Sequence, residues 1–474
     1  MNDPLRPYDL IAIGAGPAGI SAAAAAGLMG FRVALVEQRA TIGGAGINTG
    51  TVPSKTLRET AVVLSGARSR QLYGVDLSLR RQIRVPDLMH HEEQVVAGEH
   101  RRWAHLLRKR GVEVLHGTAR FVDPHTVAVV GNDGKETTLR GTKVLIATGS
   151  SPIHPPGFVF EDPRVHDSNE ILELQEMPAR LAVIGAGIVG SEYACIFAAL
   201  GVEVRVIDGR DSLLGFLDGD VSKALLAAMQ AMSIHFHWKT RVTRCDTSQP
   251  GDAILTLDSG ETLPCDGVLV CGGRSSNTDG LNLAAAGLTP GERGLIKVNG
   301  RYRTDVPHIY AAGDVIGPPA LAATSIEQAR VAVADAFEMG LDGDMEPILP
   351  TGIYTIPEAS FVGATEEAVQ ASGVEYVTGK ARYEDLPRGQ IIGDRGGFLK
   401  MIFRKSDLKL LGVHVFGELA TELVHIGQLA MVASADATLF TRVCFNYPTL
   451  GDLYKNAAYD ALLKAGRLGR DART

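Results

Sequence analysis

The sequence predicts an α/β chain in which one βαβ unit occurs twice, followed by a smaller α+β domain. Three observations lead there. A glycine-punctuated strand, turn and helix opens the chain, and the same pattern returns 171 residues later. Beyond residue 345 the pattern changes to mixed strands and helices. The 474 residues are 45% apolar and 21% charged, the balance of a multi-domain globular protein. Glycine accounts for 54 of them, about 11% against an average near 7%. That excess calls for places where backbone comes close to something.

The first unit begins with an apolar strand over residues 8–13. Gly14, Gly16 and Gly19 separate it from an Ala-rich helix, and a second apolar strand covers residues 32–36. Gly14 permits the tight turn, Gly16 lets the backbone approach a pyrophosphate, and Gly19 lets helix and strand pack closely. The unpaired N–H groups and positive end of the helix then face the phosphates. Glu37 closes the second strand, where its carboxylate suits the ribose hydroxyls of an adenosine. A glycine turn alone is a weak signal. Here strand, helix, second strand and acid stand in register, which gives a Rossmann-type dinucleotide site.

The second unit repeats the first at one offset. Gly14, Gly16, Gly19 and Glu37 map onto Gly185, Gly187, Gly190 and Asp208 (185 − 14 = 171, as for the others). Its strands are expected at 181–184 and 202–207, with a helix from 189. Asp208 suits the free 2′-hydroxyl of NAD, and Arg210 suits the extra phosphate of NADP. An acid and a base so close together fit tolerance of both nucleotides; a solvated Arg210 is the plain alternative.

Between and after these units the chain is less specific. A helix is expected over 86–110, with Glu92, Glu93, Glu99, Arg101 and Arg102 marking a solvated face and His90 and His91 in no ligand pattern. Turn-rich boundaries at 150–156, after Gly273, and at 345–350 divide the chain. Residues 1–150 with 274–345 make one dinucleotide-binding domain, 151–273 a second, and 346–474 the C-terminal domain. That last domain is read with strands at 397–403 and 410–416 and a helix at 421–435.

A net charge of −7 with no basic stripe argues against a nucleic-acid partner. Lys464, Arg467, Arg470 and Arg473 read as a solvated end. The most apolar stretch, 11–29, is broken by Gly14, Gly16, Pro17 and Gly19, so no membrane span is expected. No leader pattern opens the chain, and a cytoplasmic location is the default expectation. Five scattered cysteines with no CxxC fit neither a disulfide scaffold nor a metal site. Cys195 reads as core, and Cys265 and Cys271 flank a strand. His235 and His237 read as structural. Glu422 and His425, three apart on a helix, read as packing or dimer contacts.

Three further segments carry a resemblance. They are Ala147-Thr148-Gly149-Ser150-Ser151-Pro152, Gly272-Gly273-Arg274-Ser275-Ser276-Asn277-Thr278, and the run from Thr304 through Tyr310 to Gly313-Asp314-Val315. Together they resemble the pyridine-nucleotide disulfide oxidoreductases, the group of dihydrolipoamide dehydrogenase and glutathione reductase. The resemblance spans nearly the whole chain. It implies FAD at the first site and NAD(P) at the second, with Gly44, Thr51, Thr148, Gly149 and Gly273 among the cofactor-binding residues and Asp314 on the ribityl chain. It implies a helix from about residue 320 aimed at the flavin, where a helix N-terminus stabilises negative charge by roughly 0.3–2 kcal/mol. It also implies a C-terminal interface domain, hence a homodimer or larger homo-oligomer. Lys55 matches a lysine near the flavin and Glu192 a glutamate near the nicotinamide, an expected ion pair at the hydride-transfer locus.

The departures are as informative. The family's redox segment carries a C-x4-C pair before Pro-Ser-Lys; here Gly46 and Thr51 occupy both cysteine positions, ahead of Pro53-Ser54-Lys55. The family's base motif is His-Pro-Thr followed by a glutamate; here it is Tyr447-Pro448-Thr449 followed by Asp452. A tyrosine titrates near pH 10 and is a poor proton shuttle at neutral pH. Disulfide reduction needs both thiols and the relay, whereas hydride transfer between nicotinamide and flavin needs neither. The stretch from Asn48 to Glu59 and Phe445-Asn446-Tyr447-Pro448-Thr449 are more similar to one branch, the soluble pyridine nucleotide transhydrogenases. Some members of that branch keep the first cysteine, so Gly46 is a departure. The implied activity is FAD-dependent, ping-pong hydride transfer between NADPH and NAD. Two other readings stand beside it. One is an NAD(P)H–quinone reductase or diaphorase using the flavin face that the thiols have left. The other is a non-catalytic nicotinamide redox sensor, against which Lys55 and Glu192 count.

Overall fold

The strands Tyr8–Ile13 and Val33–Glu37 lie parallel, in register from Leu10 opposite Val33 to Ile13 opposite Val36. Both faces of this sheet are covered, which is why these strands read as near-continuous apolar runs rather than alternating ones. The helix Pro17–Leu28 connects them. Its proline sits in the first turn, where a missing N–H costs nothing, and it buries Ala18, Ala22, Ala23 and Ala26. The computed structural model describes residues 7–65, 84–340, 345 and 347–468. Arg470 and Arg473 of the basic end, and Glu346 of the last linker, lie outside the described residues.

The parallel sheet runs in the order Ile309–Ala311, Glu136–Ile146, Tyr8–Ile13, Val33–Glu37, Glu113–Asp123. The remaining lengths of Glu113–Asp123 and Glu136–Ile146 join Thr126–Gly131 in an antiparallel meander. The second unit repeats this plan. Ile234–Trp238, Glu203–Asp208, Arg180–Ile184, Gly267–Val270 and Val165–Asp167 form a parallel sheet. Val242–Asp246, Ala253–Leu257 and Thr262–Cys265 form its meander. The duplication read from four residues thus extends to whole sheets.

The C-terminal sheet is antiparallel, in the order Thr351–Ile353, Ala359–Gly363, Leu410–Phe416, Phe398–Arg404, Tyr376–Arg382. The helices Ala420–Val432 and Asp452–Lys464 pack on it. The expected fold class is borne out. One buried cluster takes Leu57 and Leu88 from the first unit, Val183 and Phe197 from the second, and Ile353 and Phe398 from the C-terminal sheet. Each such side chain contributes about 1.5–3 kcal/mol on burial. That shared core holds the three parts in fixed register around the site.

Three expectations need correction. The helix Val85–Lys109 does not expose all of its acids: Glu92 is buried with Val85 and Leu88. These positions are three and four apart and share one face. The helix expected from about 320 starts at Ala322, because Leu321 is extended and serves as its N-cap. The helix expected to reach 435 stops at Val432, and Ser434 adopts a positive φ. Among the described residues, no helix is long and apolar enough to cross a membrane.

Candidate functional site

The first cleft forms where the carboxyl ends of the parallel strands meet two helix N-termini. Gly14 has φ +100° and a Cβ there would fall 2.4 Å from the Ala147 carbonyl oxygen; a Cβ on Gly19 would fall 1.8 Å from the Gly14 oxygen. No other residue fits this turn. Gly16 and Gly44 cross at backbone contact, since a Cβ on Gly44 would lie 2.7 Å from the Gly16 Cα. Glu37 is buried and lines the cleft. Its carboxylate accepts the Ala15 N–H at 2.8 Å and the Arg39 N–H at 2.9 Å, which fixes its orientation.

The far wall comes from the return of the chain. Thr148, Gly149, Asp314, Gly44 and Thr51 all line the cleft. Asp314 accepts the Ser150 hydroxyl at 2.7 Å. Gly273 is not part of the lining, but its neighbour Arg274 is. Arg274 donates to the Ser150 hydroxyl at 2.7 Å and the Ser150 carbonyl at 2.6 Å, and stands 3.9 Å from Asp314. The motif containing Arg274 was visible in the sequence, but the lining position within it was not.

These residues fit a flavin dinucleotide on three counts. The helices Pro17–Leu28 and Ala322–Ala336 both start without a side-chain cap, and both starts border the cleft, so their free N–H groups are available to an anionic ligand. The Thr148 hydroxyl is buried with no hydrogen-bond partner, a cost unless a ligand supplies one. The crossing glycines leave a cradle that any side chain would fill.

The second cradle repeats the glycine turn of the first. Gly185 has φ +107° and a Cβ there would lie 2.7 Å from the Cys271 oxygen; Gly190 stands to Gly185 as Gly19 does to Gly14. Gly187 starts an uncapped helix, Ile188–Ala199. Asp208 accepts the Ala186 N–H at 2.6 Å, the counterpart of the Glu37–Ala15 bond. It also takes the Arg210 N–H at 2.8 Å and the Arg210 guanidinium on both oxygens, at 2.9 and 2.6 Å. Burial pushes the Asp208 pKa up, but Arg210 and the two backbone donors outweigh it and bring it down to about 2.

Lys55 and Glu192 meet where the two lobes join. The Lys55 Nζ lies 2.7 Å from Glu192 Oε2 and 3.3 Å from the Ser54 hydroxyl. Glu192 is buried, and its other oxygen accepts the Tyr354 N–H at 2.9 Å. The Lys55 ammonium also lies 4.8 Å from the Tyr354 ring centroid, within cation–π range. Tyr354 comes from the C-terminal sheet region and carried no local sequence signal.

None of the five cysteines stands in the redox segment. Burial pushes the Cys195, Cys265 and Cys271 thiols up to about 12 and Cys245 up to about 11, which keeps them inert at neutral pH. Cys444 is exposed. Tyr447 is exposed in the chain by itself, and Asp452 opens the last helix. His154, Asp167 and Glu170 cluster within metal-ligand range of one another. Asp167 and Glu170 exchange side-chain-to-backbone bonds, at 2.9 and 3.2 Å, and His154 adds to Asp167 at 2.8 Å. These reciprocal bonds and the histidine account for the group without an ion.

Comparison with known proteins places the chain among relatives. A family profile described as pyridine nucleotide-disulphide oxidoreductase matches residues 8–336, and one described as the dimerisation domain of the same family matches residues 349–458. A soluble pyridine nucleotide transhydrogenase of Mycobacterium tuberculosis is 44% identical over 467 residues, covering 98% of this chain and 99% of the relative. One from Vibrio vulnificus is 39% identical, covering 96% and 98%. Among solved structures, LpdA from Mycobacterium tuberculosis superposes with a TM-score of 0.88 at 26% identity, covering 95% of this chain and 99% of that one. The HOCl-induced flavoprotein disulfide reductase RclA from Escherichia coli gives 0.85 at 26%, with the same coverage.

Proposed function

This chain belongs to the pyridine nucleotide-disulphide oxidoreductase family, and from that premise we propose that it is a flavoprotein transhydrogenase carrying hydride between NADPH and NAD. In this reading the region 1–150 with 274–345 holds FAD, 151–273 takes each nucleotide in turn, and 346–474 supplies a homodimer interface, in a cytoplasmic protein. FAD in the first cleft supplies the two-electron carrier that lets donor and acceptor nucleotides use one site successively.

The observation that carries the proposal is the Lys55–Glu192 pair beside a segment whose thiol positions are Gly46 and Thr51. Glu192, buried and held by the Tyr354 N–H, fixes the Lys55 cation at the seam between the lobes. A fixed cation there stabilises charge as it shifts and requires no reorganisation at the moment of transfer. Glu37 and Asp208 orient the two adenosine ends, and the uncapped helix starts bind the pyrophosphates. Among the described residues no cysteine lines the first cleft, which supports a route that bypasses sulfur. The names of the full-length relatives support the same activity.

A stopped-flow experiment tests the proposal. The oxidised holoprotein is reduced with stoichiometric NADPH under anaerobic conditions, then mixed with NAD, a short-chain quinone or a cyclic disulfide. Reoxidation of the flavin by NAD at a rate matching turnover is expected. Reoxidation by quinone alone would move the assignment to a quinone reductase, and efficient reduction of the disulfide would overturn the thiol-free route.

A further inference from the structure

We infer that Arg241, rather than Arg210, is the cation that recognises the 2′-phosphate of an NADP-type nucleotide. The inference rests on the proposed use of the second cradle by both nucleotides and goes on to name the residue that lets the phosphorylated one in.

Arg210 is already committed. Its guanidinium grips both oxygens of Asp208, and its own N–H adds another bond. Together with the Ala186 N–H, these donors fill the four lone-pair sites of the carboxylate. Bidentate pairs of this kind are the strong ones. Turning Arg210 toward a phosphate would strip a buried carboxylate of its counter-charge and set it against an incoming dianion. With Arg210 in place, Asp208 is electrically neutralised and does not repel the phosphate. When the 2′-hydroxyl is free, Asp208 can accept it only once the Arg210 fork lifts away. Arg210 is therefore a cap on the ribose acid, and another group must hold the phosphate.

Arg241 stands in the right place. The strand Ile234–Trp238 runs parallel to Glu203–Asp208 with Trp238 opposite Asp208. Residues 239–241 therefore emerge at the carboxyl edge of the sheet, where nucleotides bind in such folds. The two loops are knitted together: Lys239 N–H donates to the Arg210 carbonyl at 2.9 Å and Thr240 N–H to the Asp208 carbonyl at 3.2 Å, while the Arg241 carbonyl accepts Asp258 N–H at 2.9 Å. Gly209 leaves room above its backbone, and the Arg241 Nε lies 3.3 Å from where a Cβ on Gly209 would be. The guanidinium thus covers the residue between Asp208 and Arg210. Arg241 is exposed, and among the described residues its side chain makes no hydrogen bond or ion pair. Lys239, 3.8 Å from Asp211, adds positive charge to the same edge. An unpaired guanidinium with five free donors, carried on a backbone-tethered loop beside a ribose acid, is matched to a phosphomonoester.

Titration calorimetry on the full-length holoprotein tests this with two fragments, 2′,5′-ADP and 5′-AMP, which differ only in the 2′-phosphate. In Arg241→Gln the preference for 2′,5′-ADP over 5′-AMP should fall roughly tenfold, the scale of one charge-assisted contact. The loss should shrink as salt is raised. An unchanged preference in Arg241→Gln, or its loss in Arg210→Gln alone, overturns the inference. So does an equal weakening of both fragments, which would mark Arg241 as a support for the loop. If the unsubstituted protein binds neither fragment, the nucleotide assignment of the second cradle falls with it.

Discussion

Glu92 is a carboxylate turned inward on a helix whose neighbouring acids face solvent. Burial first, and then the charge of Glu93, push its pKa up from the ordinary carboxyl value of 4.5. The native state therefore holds this proton more tightly than the unfolded chain does. Stability linked to Glu92 is fully present below about pH 4.5 and is lost as pH rises through the raised native value. At pH 7 the folded protein carries that cost. Glu92→Gln should stabilise it at pH 7 by about 1 kcal/mol, and the gain should vanish near pH 4. Urea unfolding at the two pH values measures it, and an equal gain at both would remove the electrostatic account. Glu92 was legible in principle, since Val85, Leu88 and Glu92 share a helical face; reading charge alone hid it. The glycines and the acids Glu37 and Asp208 were legible because their spacing is set along the chain. The Lys55–Glu192 pair joins residues 137 apart and was reachable only through resemblance. Tyr354 and Arg241 carried no pattern, because what makes each of them matter is a neighbour that folding supplies.

At the scale of elements, the same limit falls on how the lobes are joined. The strand Leu410–Phe416 and the opening strand Tyr8–Ile13 were readable to the residue, because alternation and apolar runs are local. What fastens the second unit to the C-terminal sheet was not. Lys400, on the strand Phe398–Arg404, is almost wholly buried and lies 2.9 Å from Asp218, 3.4 Å from Asp220 and 2.5 Å from Glu366. Asp218 is itself fully buried and caps the helix Gly219–Ala231. Its other oxygen accepts the Glu366 N–H at 3.2 Å, at the start of the helix Glu366–Ala371. Burial alone would lower the Lys400 pKa, but Glu366, Asp218 and Asp220 outweigh it and raise it above the ordinary lysine value. Its contribution is therefore present below the unfolded value and fades only in strong alkali. Lys400→Met leaves Asp218 buried without its counter-charge and should cost about 3–5 kcal/mol. Lys400→Met combined with Asp218→Asn should recover part of that loss. Chemical denaturation of the two variants checks both outcomes, and a double variant no better than the single one would show that packing, rather than charge, is what was broken.

The whole molecule presents a face that a single chain does not cover. On the helix Ala420–Val432, Glu422, His425, Leu429 and Val432 are all exposed and fall along one side, at the three- and four-residue spacings of one helical stripe. Leu429 is 69% exposed and Val432 45%, an unusual pairing of apolar side chains on the outside of a helix whose other face is core. The family's dimerisation-domain profile covers this helix, and a two-fold axis would bury the same stripe from both copies. Tyr447, 75% exposed, stands in the same domain. The intact protein should therefore sediment at about 100 kDa, twice the 50.3 kDa chain. Leu429→Arg places two unpaired charges at a self-complementary surface and should yield single chains at micromolar concentration while leaving the fold intact by circular dichroism. If closing the site needs the second copy, the variant should also lose hydride transfer in proportion to the dimer lost, and concentrating it should restore both together. A protein already active at the mass of one chain would break that link and leave the C-terminal domain only the work it does within the chain, holding Glu192 through Tyr354 and the second lobe through Lys400.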